Sequence, residues 1–163
     1  MSRAFVDESA SQSNEGDVPE RKIPLPPEAR NYVTPEGAER LRAELQGLLE
    51  SERPRAMAQI ARLSSAGNAD PGALAGLRRR LGEIDRKIEY LSRMAAIAEV
   101  VDPLRQRSDR VVFGAAVTVR DDGGGERTYR IVGVDESDPE REKISWVSPV
   151  ARALTILRIE FRA

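Results

Sequence analysis

The chain has 163 residues, room for one or two small domains and a modest core. Its 26 Lys and Arg stand against 27 Asp and Glu, a formal net charge of −1 that argues against a general nucleic-acid binder. With no cysteine and no histidine, thiol chemistry, disulfides, Cys/His zinc sites and histidine general-base catalysis are excluded. No apolar run approaches the ~20 residues of a membrane span. The N-terminus lacks the apolar core of a signal peptide, so a soluble cytoplasmic protein without membrane contact is the expectation. Charged residues at 33% and aromatics at 4% suit long exposed helices better than a compact all-β core.

Residues 1–31 read as a disordered tail. Asp7, Glu8, Glu15, Asp17 and Glu20 face only Arg3 up to that point, with Ser, Asn and Gly between them. Such a stretch buries too little apolar surface to offset its ordering entropy. Pro24, Pro26 and Pro27 then predict an extended, semi-rigid linker.

A helix signal begins sharply at Thr34, a candidate N-cap, with Pro35 at the first helical position and Glu36 complementing the dipole. Leu41, Leu45, Leu48 and Leu49 recur at helical spacing, as do Ala56, Ile60 and Leu63. Pro54 falls inside this pattern and predicts a kink or break near Glu50 to Arg53. Residues 64–72, with two Gly and a Pro, read as a turn. Leu74, Leu77, Leu81, Ile84, Ile88, Leu91, Ala95 and Ala98 follow with 3-4-3-4-3-4-3 spacing. That heptad pattern implies a left-handed supercoil with a partner helix, most simply the first helix across the turn. An intramolecular antiparallel hairpin makes a monomer the expectation.

Asp102-Pro103 is expected to end the second helix, and the period then becomes strand-like. Residues 111–119, 128–134 and 143–147 read as strands, the first bent at Gly114, with a hairpin loop over residues 121–125. Ser148-Pro149 opens a short helix through Leu154. Residues 155–162 alternate, with Leu157, Ile159 and Phe161 on one face, and read as a final strand. The fold class is therefore α+β: a coiled-coil hairpin over residues 32–101 with its tip near 64–72, then a small β domain with one short helix over 102–163. About 60 residues is marginal for independent stability.

Several blocks resemble the GreA/GreB family of bacterial transcript-cleavage factors: residues 31–37, Glu52-Arg53-Pro54, Glu83-Ile84-Asp85-Arg86, residues 112–115, residues 129–133 and residues 144–154. Together they span about residue 31 to 163, and Glu52-Arg53-Pro54 is closer to the GreB branch. The resemblance implies an FKBP-like β domain that docks at the rim of the secondary channel of RNA polymerase, and a hairpin that enters that channel. It also implies two acidic tip residues that hold a second Mg²⁺ in the polymerase active site, so that the polymerase hydrolyses the backtracked RNA near its 3′ end. The factor would be no enzyme by itself and would have no cofactor of its own, only an Mg²⁺ shared with the polymerase.

The tip departs from the family's Gly-Asp-x-x-Glu-Asn. It reads Gly67-Asn68-Ala69-Asp70-Pro71-Gly72, so in either register one carboxylate remains. Asn68 offers a neutral oxygen, a weaker magnesium ligand, while Asp70 is either a single metal-facing carboxylate or an ordinary turn residue. Weak or absent cleavage stimulation is expected. By the same resemblance, Arg78, Arg79, Arg80, Arg86 and Lys87 are candidate RNA contacts, or alternatively a solvated face paired with Glu on the first helix. Ser148, Pro149 and Arg152 are candidate docking residues. Trp146 reads as core. The last part lacks a hairpin of roughly 20 residues found in the family, which would expose or re-pair a sheet edge. An active cleavage factor acting through Asp70 is the alternative function. A peptidyl-prolyl isomerase, for which the C-terminal part has too few aromatics to line a pocket, and a self-associating coiled-coil adaptor are remote ones.

Overall fold

The computed structural model describes residues 24–67, 70–106, 108–120 and 123–156. Helix α1 (Pro35–Gly47), a π-helical stretch (Leu48–Glu52) and α2 (Arg53–Ser65) follow one another without a break, and α3 (Pro71–Ala96) packs back along them. Pro54 explains the π-helical defect. Its ring has no N–H to donate and would clash with the carbonyl of Glu50, four residues back. The wider turn absorbs the misfit, and the Arg53 N–H donates to the Leu48 carbonyl, five residues back. The expected kink is thus a π segment within a continuous helical arm.

The hairpin seam follows the heptad reading. Leu41, Leu48, Ala56, Ile84, Leu91 and Met94 are buried, with Leu45, Leu81, Ile88 and Ala95 packed against them. Each fully buried aliphatic of this kind contributes roughly 1.5–3 kcal/mol. Val134 and Val147 of the C-terminal part belong to the same cluster, so the base of the hairpin shares its core with the β domain.

Two short strands frame that base. Strand β1 (Asn31–Val33) pairs in parallel with β2 (Ala98–Val100), Asn31 opposite Ala98 and Val33 opposite Val100. Three further strands, β3 (Ala116–Arg120), β4 (Glu126–Val132) and β5 (Lys143–Ser145), form a sheet in the order β3-β4-β5. The β3/β4 pair is antiparallel and the β4/β5 pair parallel. Helix α4 (Pro149–Ile156) lays Ala151 and Leu154 against Val111 and Ile131. Trp146 touches both clusters and meets Tyr32 edge-on, with ring centroids 5.3 Å apart.

Several sequence expectations are corrected here. Residues 24–30 are not free of the fold: Leu25 packs on the hairpin cluster, and Asn31 starts a strand. Ala98 lies in β2 because α3 ends at Ala96, well before Asp102-Pro103. The tip turn is shorter than residues 64–72, since α2 runs to Ser65 and α3 begins at Pro71. Leu49 faces solvent, since the π segment rotates it off the seam. Residues 111–115 are not strand: Gly114 turns the chain at φ +83° against Pro103, and β3 starts at Ala116. Strand β4 starts two residues earlier than expected and ends at Val132, and Trp146-Val147 form a turn after β5. Thr155 and Ile156 are the last residues of α4, so no strand starts at Thr155; residues 157–163 lie outside the described residues.

The loop between β4 and β5 fastens the hairpin to the sheet. Glu136 is a buried carboxylate, 7% exposed. Its Oε2 accepts from the Thr34 N–H at 2.9 Å and the Gly133 N–H at 3.1 Å, and its Oε1 accepts from the Thr34 hydroxyl. Thr34 Oγ1 in turn accepts from the Gly37 N–H at 3.0 Å. A capping box normally has a Glu at the third helical position reaching back to the N-cap N–H. Here that position is Gly37, and the carboxylate arrives from 102 residues away. A β-carbon on Gly37 would fall inside the Glu136 carboxylate. The neighbouring Asp135 accepts from the Tyr90 hydroxyl of α3 at 2.9 Å.

Two predictions follow from this clamp. Alanine normally stabilises a helix by about 1 kcal/mol over glycine. Gly37→Ala is expected instead to lose about 1–3 kcal/mol in urea unfolding, because the carboxylate is displaced from its donors. In a Glu136→Ala background the same substitution should turn neutral or stabilising; a stabilised single variant would remove the argument. The second prediction concerns pH. Burial, and then the bond to Asp135, push the Tyr90 hydroxyl up to about 12. The raised value means that the folded state prefers the neutral phenol. Its contribution is complete below about pH 10, the unfolded value, and is lost as pH rises toward 12. Near-ultraviolet absorbance should show a tyrosine ionising late in the native protein, and Tyr90→Phe should remove that step.

Candidate functional site

The far end of the hairpin is closed by Gly67 at φ +69°, just past the end of α2, and by Asp70 before α3. Asp70 is exposed and caps α3: Oδ1 accepts from the Gly72 N–H and Oδ2 from the Ala73 N–H, both at 3.1 Å. Both carboxylate oxygens therefore already serve orphan donors of the first helical turn. Asn68 lies outside the described residues. In the sequence, Asp70 is the only carboxylate between Glu52 and Glu83. Magnesium is held by hard, anionic oxygens. One carboxylate engaged as a helix cap, beside a neutral amide, does not fit that donor set.

Below the tip the arm is basic. Between Arg53 and Gly82 it carries six arginines against Asp70 alone. Among the described residues Arg78, Arg79, Arg80 and Arg86 are exposed and form no ion pair. Lys87 differs, because it pairs with Glu44 of α1 across the hairpin. Arg53 likewise binds Asp85 of α3, with its Nε 2.8 Å from Oδ1. Ion pairs between the helices thus lie from the base to the middle of the arm, and Arg78, Arg79 and Arg80 nearer the tip lack them. Sequence reasoning passed over Arg55 and Arg62, seven apart on one face of α2 and also exposed. Their signal was the absence of any acid on α2 to balance them, Asp70 being the one carboxylate between Glu52 and Glu83.

The remaining candidates lie at the opposite end of the molecule. Ser148 caps α4, with its Oγ accepting from the Ala151 N–H at 3.1 Å, while Pro149, Val150 and Arg152 are exposed on the first turn. Trp146 is largely enclosed between the two cores, as expected. No helix among the described residues is long and apolar enough to cross a membrane.

Comparison with known proteins accords with this geometry. The family profile "Transcription elongation factor, N-terminal" matches residues 31–100, and "Transcription elongation factor, GreA/GreB, C-term" matches residues 106–160. The transcription elongation factor GreB of Neisseria meningitidis serogroup B is 46% identical over 131 residues, covering 78% of this chain and 79% of that protein. GreB of Xanthomonas axonopodis pv. citri is 42% identical over 130 residues, covering 78% and 77%. GreA of Syntrophotalea carbinolica is 41% identical over 130 residues, covering 78% and 82%. The two profiles cover the hairpin, its strand-framed base and the sheet with α4, and the chain belongs to the GreA/GreB family of transcription elongation factors.

Proposed function

We propose that the protein modulates elongation by binding RNA polymerase at the secondary channel, and that it stimulates transcript cleavage weakly or not at all. The observation that carries the second half is Asp70. It is the single carboxylate of the distal arm, and both of its oxygens cap α3. Turning it toward a metal would forfeit a cap worth about 1 kcal/mol and would still present one anionic ligand where the family presents two. The length of the arm supports the first half: α3 alone, at 26 residues, extends roughly 39 Å. The exposed distal arginines suit contact with phosphates of the RNA 3′ segment, which position without reading sequence. The exposed first turn of α4, with Pro149 and Arg152, is the docking face at the other end. On this reading the protein is a monomeric accessory factor in the bacterial cytoplasm. Any magnesium involved belongs to the polymerase.

The test is RNA cleavage in a halted, backtracked polymerase complex, with polymerase binding measured in the same samples. We expect binding with cleavage at the polymerase's own background, unchanged by Asp70→Asn. Cleavage well above background that disappears in Asp70→Asn would mean that one tip carboxylate suffices. Absence of polymerase binding would overturn the reading as a whole.

A further inference from the structure

We propose that the acidic stretch from Asp7 to Glu20 docks along an arginine stripe on α3 and competes there, within the same chain, with any polyanion bound by the hairpin.

The stripe follows from the heptad. With Leu77, Leu81, Ile84, Ile88 and Leu91 turned to the seam, Arg79, Arg86 and Arg93 fall on the outer face. They repeat every seven residues, about 10 Å apart along the axis. All three are exposed and have no ion pair among the described residues; Arg93 lies over the Tyr90 ring, 5.7 Å from its centroid. Of the acids of α3, Asp85 is held by Arg53, and Glu83 and Glu89 flank the row on either side without an ion pair to it among the described residues.

The described chain begins beside the lower end of this row. Residues 24–30 line one groove with Tyr90, Arg93 and Met94, and Leu25 is anchored in the hairpin cluster. The acidic segment is therefore joined to the described fold next to Arg93. From Asp7 to Glu20 it holds five carboxylates and no basic side chain, with Arg21 and Lys22 between it and Pro24. Pro24 lies seventeen residues after Asp7, a length that as a flexible chain would span about 23 Å root-mean-square. Arg79 lies about 21 Å up the helix from Arg93. Reach, starting point and charge thus agree. Residues 1–30 also lie outside both family profiles, so this acidic segment is not part of the shared arm. Exposed charges of this kind interact weakly and are screened by salt, which suits a displaceable occupant.

The absence of cysteine allows a nitroxide to be placed at Ser11→Cys in the full chain without other changes. At low salt, amide broadening should concentrate on α3 around Arg79 and Arg86. It should vanish near about 0.5 M salt, and in a chain carrying Asp7→Asn, Glu8→Gln, Glu15→Gln, Asp17→Asn and Glu20→Gln. Broadening that is no greater on the stripe than on the β3/β4 hairpin, or that survives neutralisation, would overturn docking. Competition is read separately, from the affinity for a fluorescent oligouridylate of about ten nucleotides. Neutralising the tail should tighten binding about five-fold at low salt and should have no effect in an Arg79→Ser/Arg86→Ser chain. Equal tightening in both backgrounds would mean that net charge alone acts, and would overturn the competition.

Discussion

A buried carboxylate at the foot of a helix organises this molecule. An α-helix begins with N–H groups that have no partner inside it, and a charged side chain out of water needs partners of its own. Glu136 and the start of α1 resolve both demands together: the carboxylate takes the Thr34 N–H, the Thr34 hydroxyl and the Gly133 N–H, with the Arg40 guanidinium at 3.7 Å. The positive end of the α1 dipole adds to the fit. Because Glu136 sits on the β4–β5 connection, this contact and Tyr90–Asp135 beside it tie the arm to the sheet, alongside the apolar core the two share.

That attachment matters because neither part buries much alone. The sheet and α4 enclose a small cluster around Val111, Ile131, Ala151 and Leu154. Val134 and Val147 from the same part turn instead into the hairpin core, and Trp146 spans both clusters. The apparent deficit of a short C-terminal domain is met by sharing its core with the base of the coiled coil. Ile156, at the end of α4, is left 82% exposed.

Along the arm, packing and charge change together. From the base to mid-arm the seam is buried and ion pairs such as Lys87–Glu44 and Arg53–Asp85 cross between the helices. Toward the tip Leu63, Leu74 and Leu77 are only partly covered, and the surface becomes arginine without compensating acid. The tip carboxylate serves the helix it precedes. The distal arm is therefore a positively charged surface, whereas its end carries little with which to bind a metal.

The sequence by itself determined the helical hairpin, the site of its defect at Pro54, the caps at Thr34 and Ser148, the poverty of carboxylates at the tip and the excess of arginine below it. These rest on local chemistry: heptad spacing, proline's missing N–H, hydroxyl caps and charge counts are all set within a few residues. Tertiary structure decided what depends on distant partners. The three-residue strands β1 and β2 are too short to show a period and exist because residues 31–33 and 98–100 meet at the base. Thr155 and Ile156 alternate like a strand with the residues after them, yet continue the helix that places Ala151 and Leu154 on the sheet. Gly37 reads as a weak helix residue until Glu136 is seen in the space a side chain would need. No local pattern announces a carboxylate 102 residues away, and that contact holds the two halves in register.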